Sequence, residues 1–434
     1  MMRDMANRRA LWSSETARAV LGPLPGVREI RAACWAALAV TTALVALSVV
    51  YAVRGRPFLG HQPGGDYVAF YSAGKILNEY PHAELYDLAL QQRLHHVFVP
   101  EMAPDVVDPF VNTPFLGWVF RPLARLPFMW SYGVWMALST ALYLGGLALL
   151  WPEEKGFRDV SGIALLACCS FAPFIIECVA GGQVSALGFF ALALCTRWQR
   201  SGQPLAAGAA LSVCLYKPPL LVLVVPMLAI GRRWRMLAGF ASGACVLGAL
   251  SLAAVGYAGC AAYIDALRVR AEMTTRNPSP FPVFKFVDIH TFFRLVFGGD
   301  SPAGVGAALI LTGAAFVYLA IRWSRSRPGT QADGLLWAAT IAWTLVFNLY
   351  VPIYDTTLIV ISALLMARAV YASRGVLAES DRATLLGWML LLYAAAVVSQ
   401  AAASFARFQI LTVVLTGIGV LALRWSMRFE GASE

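Results

Sequence analysis

Runs of about twenty apolar residues recur from Ala32 to Leu423 of this 434-residue chain, each long enough to cross the hydrocarbon core of a bilayer. In hydrocarbon every backbone N–H and C=O must be satisfied inside the segment, which leaves the α-helix as the conformation for such runs. Composition agrees: 59% of residues are hydrophobic and only 13% charged, about half the share of a soluble domain. The expected fold class is an all-α polytopic membrane protein.

Twelve spans are expected, at 32–53, 129–150, 160–180, 184–197, 204–216, 218–231, 236–256, 302–322, 334–350, 356–371, 384–404 and 408–424. The first is longer than a signal-peptide core and lacks a good cleavage site, so it reads as a retained helix. An even count puts both termini on one side, and charge says which. The segments 1–31, 151–159, 197–203, 231–235, 322–333, 368–383 and 424–434 hold 21 of the 34 Lys/Arg and 11 of the 24 Asp/Glu. The whole net charge of +10 therefore lies on one face, the cytoplasmic one by the positive-inside rule. A topological origin for the basic charge removes the need for a nucleic-acid partner. The expected organisation is a basic cytoplasmic tail at 1–31, a transmembrane body at 32–424 and a short cytoplasmic tail at 425–434. Outer segments fall at 54–128 and 257–301, and the short cytoplasmic loops leave no room for a nucleotide-handling domain.

The first outer segment carries GGDYVAFYSAGKILNEYPHAELYDLALQQRLHH, from Gly64 to His96, the longest stretch of mixed charge in the chain. Tyr67, Phe70, Tyr71, Ile76 and Leu77 recur at helical spacing, and Leu88, Leu90 and Leu94 repeat the habit, so two interfacial amphipathic helices are expected. NTPFLGWVFRPLARLPF (Asn112–Phe128) holds three prolines and two arginines and predicts a broken path back into the membrane, with Arg121 and Arg125 near the headgroups.

Polar residues in or beside spans are costly and therefore informative. Asp66 follows a Gly-Gly turn outside the first span; Glu177 ends the third; Gln183 follows a second Gly-Gly pair; Lys217 interrupts AALSVCLYKPPLLVLVV; and Asp355 closes NLYVPIYD. Each has a plainer reading as a cap, a turn residue or a snorkelling side chain, and the plain reading is weakest for Asp66. The eight cysteines and five histidines show no metal-type spacing. The outer segments contain no D-x-D or E-x-D pair, and Asp105 and Asp108 are their only closely spaced aspartates, so neither a metal nor another cofactor is expected.

Four motifs then fall in a recognisable order: GGDYVAFYSAGKIL…AELYD from Gly64, TPFLGWVFRPLARLP from Thr113, GGQVSALGFFALAL from Gly181, and AAGAALSVCLYKPPLLVLVVPMLAIGRRWR from Ala206. That order resembles glycosyltransferase family 87, polyprenyl-phosphate-mannose-type transferases of bacterial envelopes, from about residue 60 to 235 and more loosely to YVPIYDTTLIV near 357. The resemblance implies a C-type glycosyltransferase architecture in the bacterial inner membrane. It implies transfer of a hexose, mannose by family habit, from a polyprenyl-phosphate donor to a glycolipid or glycan acceptor on the outer face, with inversion. Asp66 occupies the place of the family's catalytic acid, Lys217 matches its lysine after the small-residue helix, and Gln183 its Gly-Gln pair. Before Asp355 the chain has Asn348 and Tyr350 where the family suggests a histidine.

The residues themselves suit such chemistry. A carboxylate can remove the acceptor hydroxyl's proton as the glycosidic bond forms, and fixed cations can hold a departing lipid phosphate. Asp66 is the candidate catalytic base; Lys217, Gln183, Tyr71, Asp355 and Arg121 are candidates for binding substrate or donor phosphate. Two other classes fit part of the pattern. A transporter or lipid-linked sugar flippase would use Lys217 and the broken pair 204–231 as a midplane site, but leaves the long first outer segment unexplained. An envelope polysaccharide polymerase or ligase would share both outer segments and differ in its donor.

Overall fold

Helix is the dominant structure of the described residues: the computed structural model is 82% helical with no strands. It describes residues 27–54, 64–100, 102, 108–275, 282–373 and 375–431. Most of the basic tail at 1–31, together with His61, Asp105 and the last residues of the C-terminal tail, lies outside that set.

The order begins with α1 (Val27–Val53), followed in the first outer segment by α2 (Tyr67–Glu79), α3 (Leu88–Phe98) and α4 (Pro114–Phe120). Next come α5 (Phe128–Leu150) and α6 (Lys155–Cys169), which leads through a bend of 44° into a π-helical segment, Pro173–Ala180. After α7 (Ser185–Arg200) come the short helices α8 (Pro204–Ser212) and α9 (Val224–Ile230), separated by two 3-10 turns. The chain continues with α10 (Trp234–Thr275), α11 (Ile289–Val296), α12 (Pro302–Arg325), α13 (Gln331–Val346), α14 (Ile359–Ala372), α15 (Glu379–Ala406) and α16 (Ile410–Gly431).

Helical structure follows the expected segments, but twelve full crossings do not. Among the described residues, seven helices are long and apolar enough to cross a membrane, eight if the bent α6 pair counts as one span. Four expected spans make the difference: α7 and α13 have sixteen residues each, about 24 Å at the helical rise, and the pair at 204–231 is shorter still. The arms Pro204–Tyr216 and Pro218–Ile230 each reach only about 20 Å at the helical rise, short of the ~30 Å hydrocarbon core. The two arms meet at Lys217, whose Nζ pairs with Asp355. In α13 the described side chains from Leu335 to Val346 are buried, as all-round apolar character requires of a helix enclosed by others. It packs on α14 and α16, while small residues let α8 lie against α10.

Polar contacts sort the loops to two ends. Arg368 pairs with Glu154 at 3.2 Å, Arg233 with Asp333 at 2.8 Å, Arg322 with Glu430 at 2.5 Å and Arg428 with Asp381 at 2.9 Å. Gln199 also donates to Asp333 at 2.8 Å. These contacts join all six of the segments after 1–31 assigned to the basic face. At the other end the two outer segments meet, with Tyr86 against Tyr263.

One expectation for the outer segments is corrected. In α2, Tyr67 to Gly74, Ile76 and Leu77 are all buried, so protein encloses this helix on most sides instead of a membrane surface covering one face. The segment at 257–301 starts as helix: α10 leaves helical geometry only at Gly256 (φ 68°, ψ −177°) and then continues to Thr275.

Candidate active site

Two glycine pairs build the centre of the outer end. Gly65 (φ +54°) and Gly182 (φ +70°) both take left-handed backbone conformations. A Cβ on Gly65 would lie 2.8 Å from the Gly181 Cα, and one on Gly182 would lie 2.5 Å from the Tyr67 Cβ. The GGD and GGQ turns therefore touch backbone to backbone, and the Asp66 amide donates to the Gly181 carbonyl at 3.0 Å. From α5, Trp135 Nε1 donates to the Gly182 carbonyl at 2.9 Å, and the Tyr132 hydroxyl donates to the Ala180 carbonyl. The π-helical turn before Gly181 is the kind of irregularity found at functional sites, and here it presents Gly181–Gln183 to α2.

Asp66 precedes α2 at the N-cap position but makes no capping bond with its side chain. Its half-buried carboxylate instead accepts from Gln183 Nε2 at 2.5 Å. Two residues on, Ser185 Oγ donates to Asp355 Oδ1 at 2.9 Å, so one turn orients both acids. The other Asp355 oxygen takes Lys217 Nζ. Lys217 also sits over the Tyr354 ring, 4.4 Å from its centroid. The turn around Lys217 is clamped from two sides: Asn112 Nδ2 donates to the Tyr216 carbonyl at 3.1 Å and Asn348 Nδ2 to the Pro219 carbonyl at 2.8 Å. Pro218 and Pro219 supply no N–H, which breaks the helix and leaves the lysine at the break.

A second acid and two more cations complete the group. Asp108 lies in the electrostatic neighbourhood of Asp66. Burial, and after it the charge of Asp66, raises Asp108 well above the usual carboxylate range, while Arg270 and Lys285 pull the other way. Asp355, Asp66, Arg270 and Asp108 all lie within electrostatic reach of Tyr354. Arg270 comes from the part of α10 beyond Gly256. Lys285 comes from a strap that is tied down on both sides: Gln409 Nε2 donates to the Phe284 and Phe286 carbonyls at 3.0 Å, and the Val287 amide to the Val351 carbonyl at 2.8 Å. Buried Asp288 fixes the end of the strap by accepting from the amides of Thr291 and Val351 at 2.9 and 3.0 Å.

Of the residues expected from sequence, Asp66, Gln183, Lys217 and Asp355 come together. Tyr71 and Arg121 do not. The Tyr71 hydroxyl donates to the Leu126 carbonyl at 2.7 Å and its ring packs on Phe98 and Phe128, inside the wall of the outer end. Arg121 bonds Asn78 at 3.3 Å, and Asn78 stands twelve residues along α2 from Asp66, about 18 Å at the helical rise. Glu177 faces Gln400 at 3.1 Å. Asp108, Arg270, Lys285, Ser185 and Tyr354 were not singled out as site residues from sequence; the only prior signal was Asp108 in the Asp105–Asp108 pair. Among the described residues no group of three or more His, Cys, Asp or Glu is arranged to hold a metal ion.

Fold and site together define a multi-helix membrane protein with an acid-and-cation centre at the end opposite its basic face. The profile of glycosyltransferase family 87 matches residues 110–348, just over half of the chain, and the protein belongs to that family. The matched region contains the Gly181–Gln183 turn, Lys217, Arg270 and Lys285; Asp66, Asp108 and Asp355 lie outside it. No curated protein matches the chain, and no solved structure does. Family membership makes the protein a membrane glycosyltransferase, an enzyme that uses a sugar donor and an acceptor.

Proposed function

We propose that the protein transfers a hexose, with mannose favoured by family resemblance, from a polyprenyl-phosphate donor to a glycolipid or glycan acceptor on the outer face of a bacterial inner membrane. One observation carries the reading: the Asp66 carboxylate, unused as a helix cap, is oriented by Gln183 on the same turn whose Ser185 holds Asp355, the partner of Lys217. Transfer with inversion is a single in-line displacement at the anomeric carbon. Asp66 takes the proton of the acceptor hydroxyl as the new bond forms, a contribution of about 10²–10⁴ in rate. Arg270 and Lys285 stabilise the charge that develops on the departing lipid phosphate. Lys217 is already paired, so Asp355 sets its position and tempers its charge. Burial, and after it the charge of Asp66, favours the neutral form of Asp108.

The test is turnover by the protein reconstituted in lipid with a radiolabelled polyprenyl-phosphate hexose and a glycolipid acceptor. The expected result is label in a new glycosidic bond of inverted configuration. Movement of intact donor between leaflets without any new bond would replace the transferase reading with that of a flippase.

A further inference from the structure

A second cluster of cations lies at the basic end, far from Asp66, around a cavity of about 310 Å³. Arg197 and Arg200, from the last turn of α7, line it together with Arg368 of α14; Thr330, Gln331 and Gly334, at the start of α13, face them. Arginines at the end of a helix are favourable there without any ligand, because the C-terminal dipole is negative. That accounts for Arg197 and Arg200 on their own helix, but not for three guanidinium groups turned on one void. Arg200 lies in reach of both other arginines, with Glu154 and Glu153 as countercharges. One Glu154 oxygen pairs with Arg368 at 3.2 Å, and the other is buried without a hydrogen-bond partner among the described residues. Among the described residues, the Arg200 Nη1 is buried with no hydrogen-bond partner. A buried guanidinium N–H left unmade is expensive, and an acceptor in the cavity removes the cost. The opposite wall is the first turn of the sixteen-residue α13, the positive end of that helix.

We propose that this cavity is an anion site on the cytoplasmic side that binds a phosphate monoester, held by Arg197, Arg200 and Arg368 against the start of α13. The group is recognised by its charge and its several acceptor oxygens, which planar guanidinium groups match. A soluble phosphate and the headgroup of an anionic lipid present the same chemistry. The site is separate from the Asp66 centre and does not depend on the transfer reaction assigned there.

Thermal unfolding of the full-length protein in detergent tests the proposal in two arms. One arm titrates inorganic phosphate against chloride at matched ionic strength; the other adds phosphatidic acid against phosphatidylcholine. Saturable stabilisation is expected, and the arm that gives it identifies the source of the phosphate. Arg200→Gln should weaken the apparent affinity about 10-fold or more, the loss expected for one charged hydrogen bond. Gly334→Leu keeps every arginine and fills the void: a Cβ there meets nothing within 4 Å, and leucine suits a helix interior better than glycine. This variant should unfold no earlier than the parent and lose the response. Absence of saturable stabilisation in both arms overturns the site. So does a response that survives in Gly334→Leu, which would belong to Arg270 and Lys285 at the other end.

Discussion

The contact between the two glycine pairs makes Gly182→Ala a demanding test of the site's geometry. The new methyl group would start 2.5 Å from the Tyr67 Cβ, where ordinary contact begins near 3.4 Å, so the turn and the start of α2 must separate by about 1 Å. Holding alanine at φ +70° adds about 1–2 kcal/mol and overpacking a further ~1–3 kcal/mol, a total destabilisation of about 2–5 kcal/mol. Tyr67 adjoins Asp66, so the same shift displaces the carboxylate, and a misplacement of that size costs about 10²-fold in rate. Transfer by the purified variant should fall accordingly, with a lower thermal midpoint. Gly133→Ala is the control: a Cβ on Gly133 meets nothing within 4 Å, and the variant should match the parent in both assays. Turnover of Gly182→Ala within threefold of the parent, at an unchanged midpoint, would show that the close approach does not position Asp66.

Three further outcomes rest on particular contacts. Lys217→Met and Asp355→Asn each strand one buried partner of an ion pair and should destabilise the protein by about 3–5 kcal/mol, whereas the double variant should lose clearly less than the sum in denaturation; strict additivity would dissolve the pair. Asp108 is held above its ordinary 3.8, so the native state retains a proton that the unfolded chain has released. Its stabilisation is complete below about pH 4 and is lost as pH rises towards the folded value. Asp108→Asn stays neutral throughout, so its midpoint advantage over the parent should grow from about pH 4 upward and then level off; a constant difference across pH would show that Asp108 is not raised. For topology, reporters near Glu153 and after Glu430 should read cytoplasmic and one near Asp87 external, and any exchange of these would refute the charge assignment.

What the sequence disclosed divides along a physical line. Asp66, Gln183, Lys217 and Asp355 were legible because each is costly where it stands, beside a glycine pair or inside an apolar run, and that cost is visible locally. Arg270 and Lys285 sit in a segment where charge is cheap, and only the continuation of α10 past Gly256 and the anchoring of the strap by Gln409 bring them to the acids. Tyr71 and Arg121 are held elsewhere, the Tyr71 hydroxyl by the Leu126 carbonyl and Arg121 by Asn78, and local sequence carries no sign of those partners. Hydropathy found the helices but not how far each one reaches, which is why the pair at 204–230 counted as two crossings. Asn348, which departs from the expected histidine, proves to hold the carbonyl of Pro219 beside Lys217.

The most direct test of the central claim is transfer by Asp66→Asn, measured alongside donor-lipid binding and thermal midpoint. Asparagine keeps the size of the side chain and a partner for Gln183 but cannot take a proton. The account predicts a fall in turnover of at least about 10²-fold with donor binding and midpoint close to the parent's, and little recovery in Asp66→Glu, whose extra methylene misplaces the carboxylate. Near-normal turnover in Asp66→Asn would contradict it and move the base to Asp108 or Asp355.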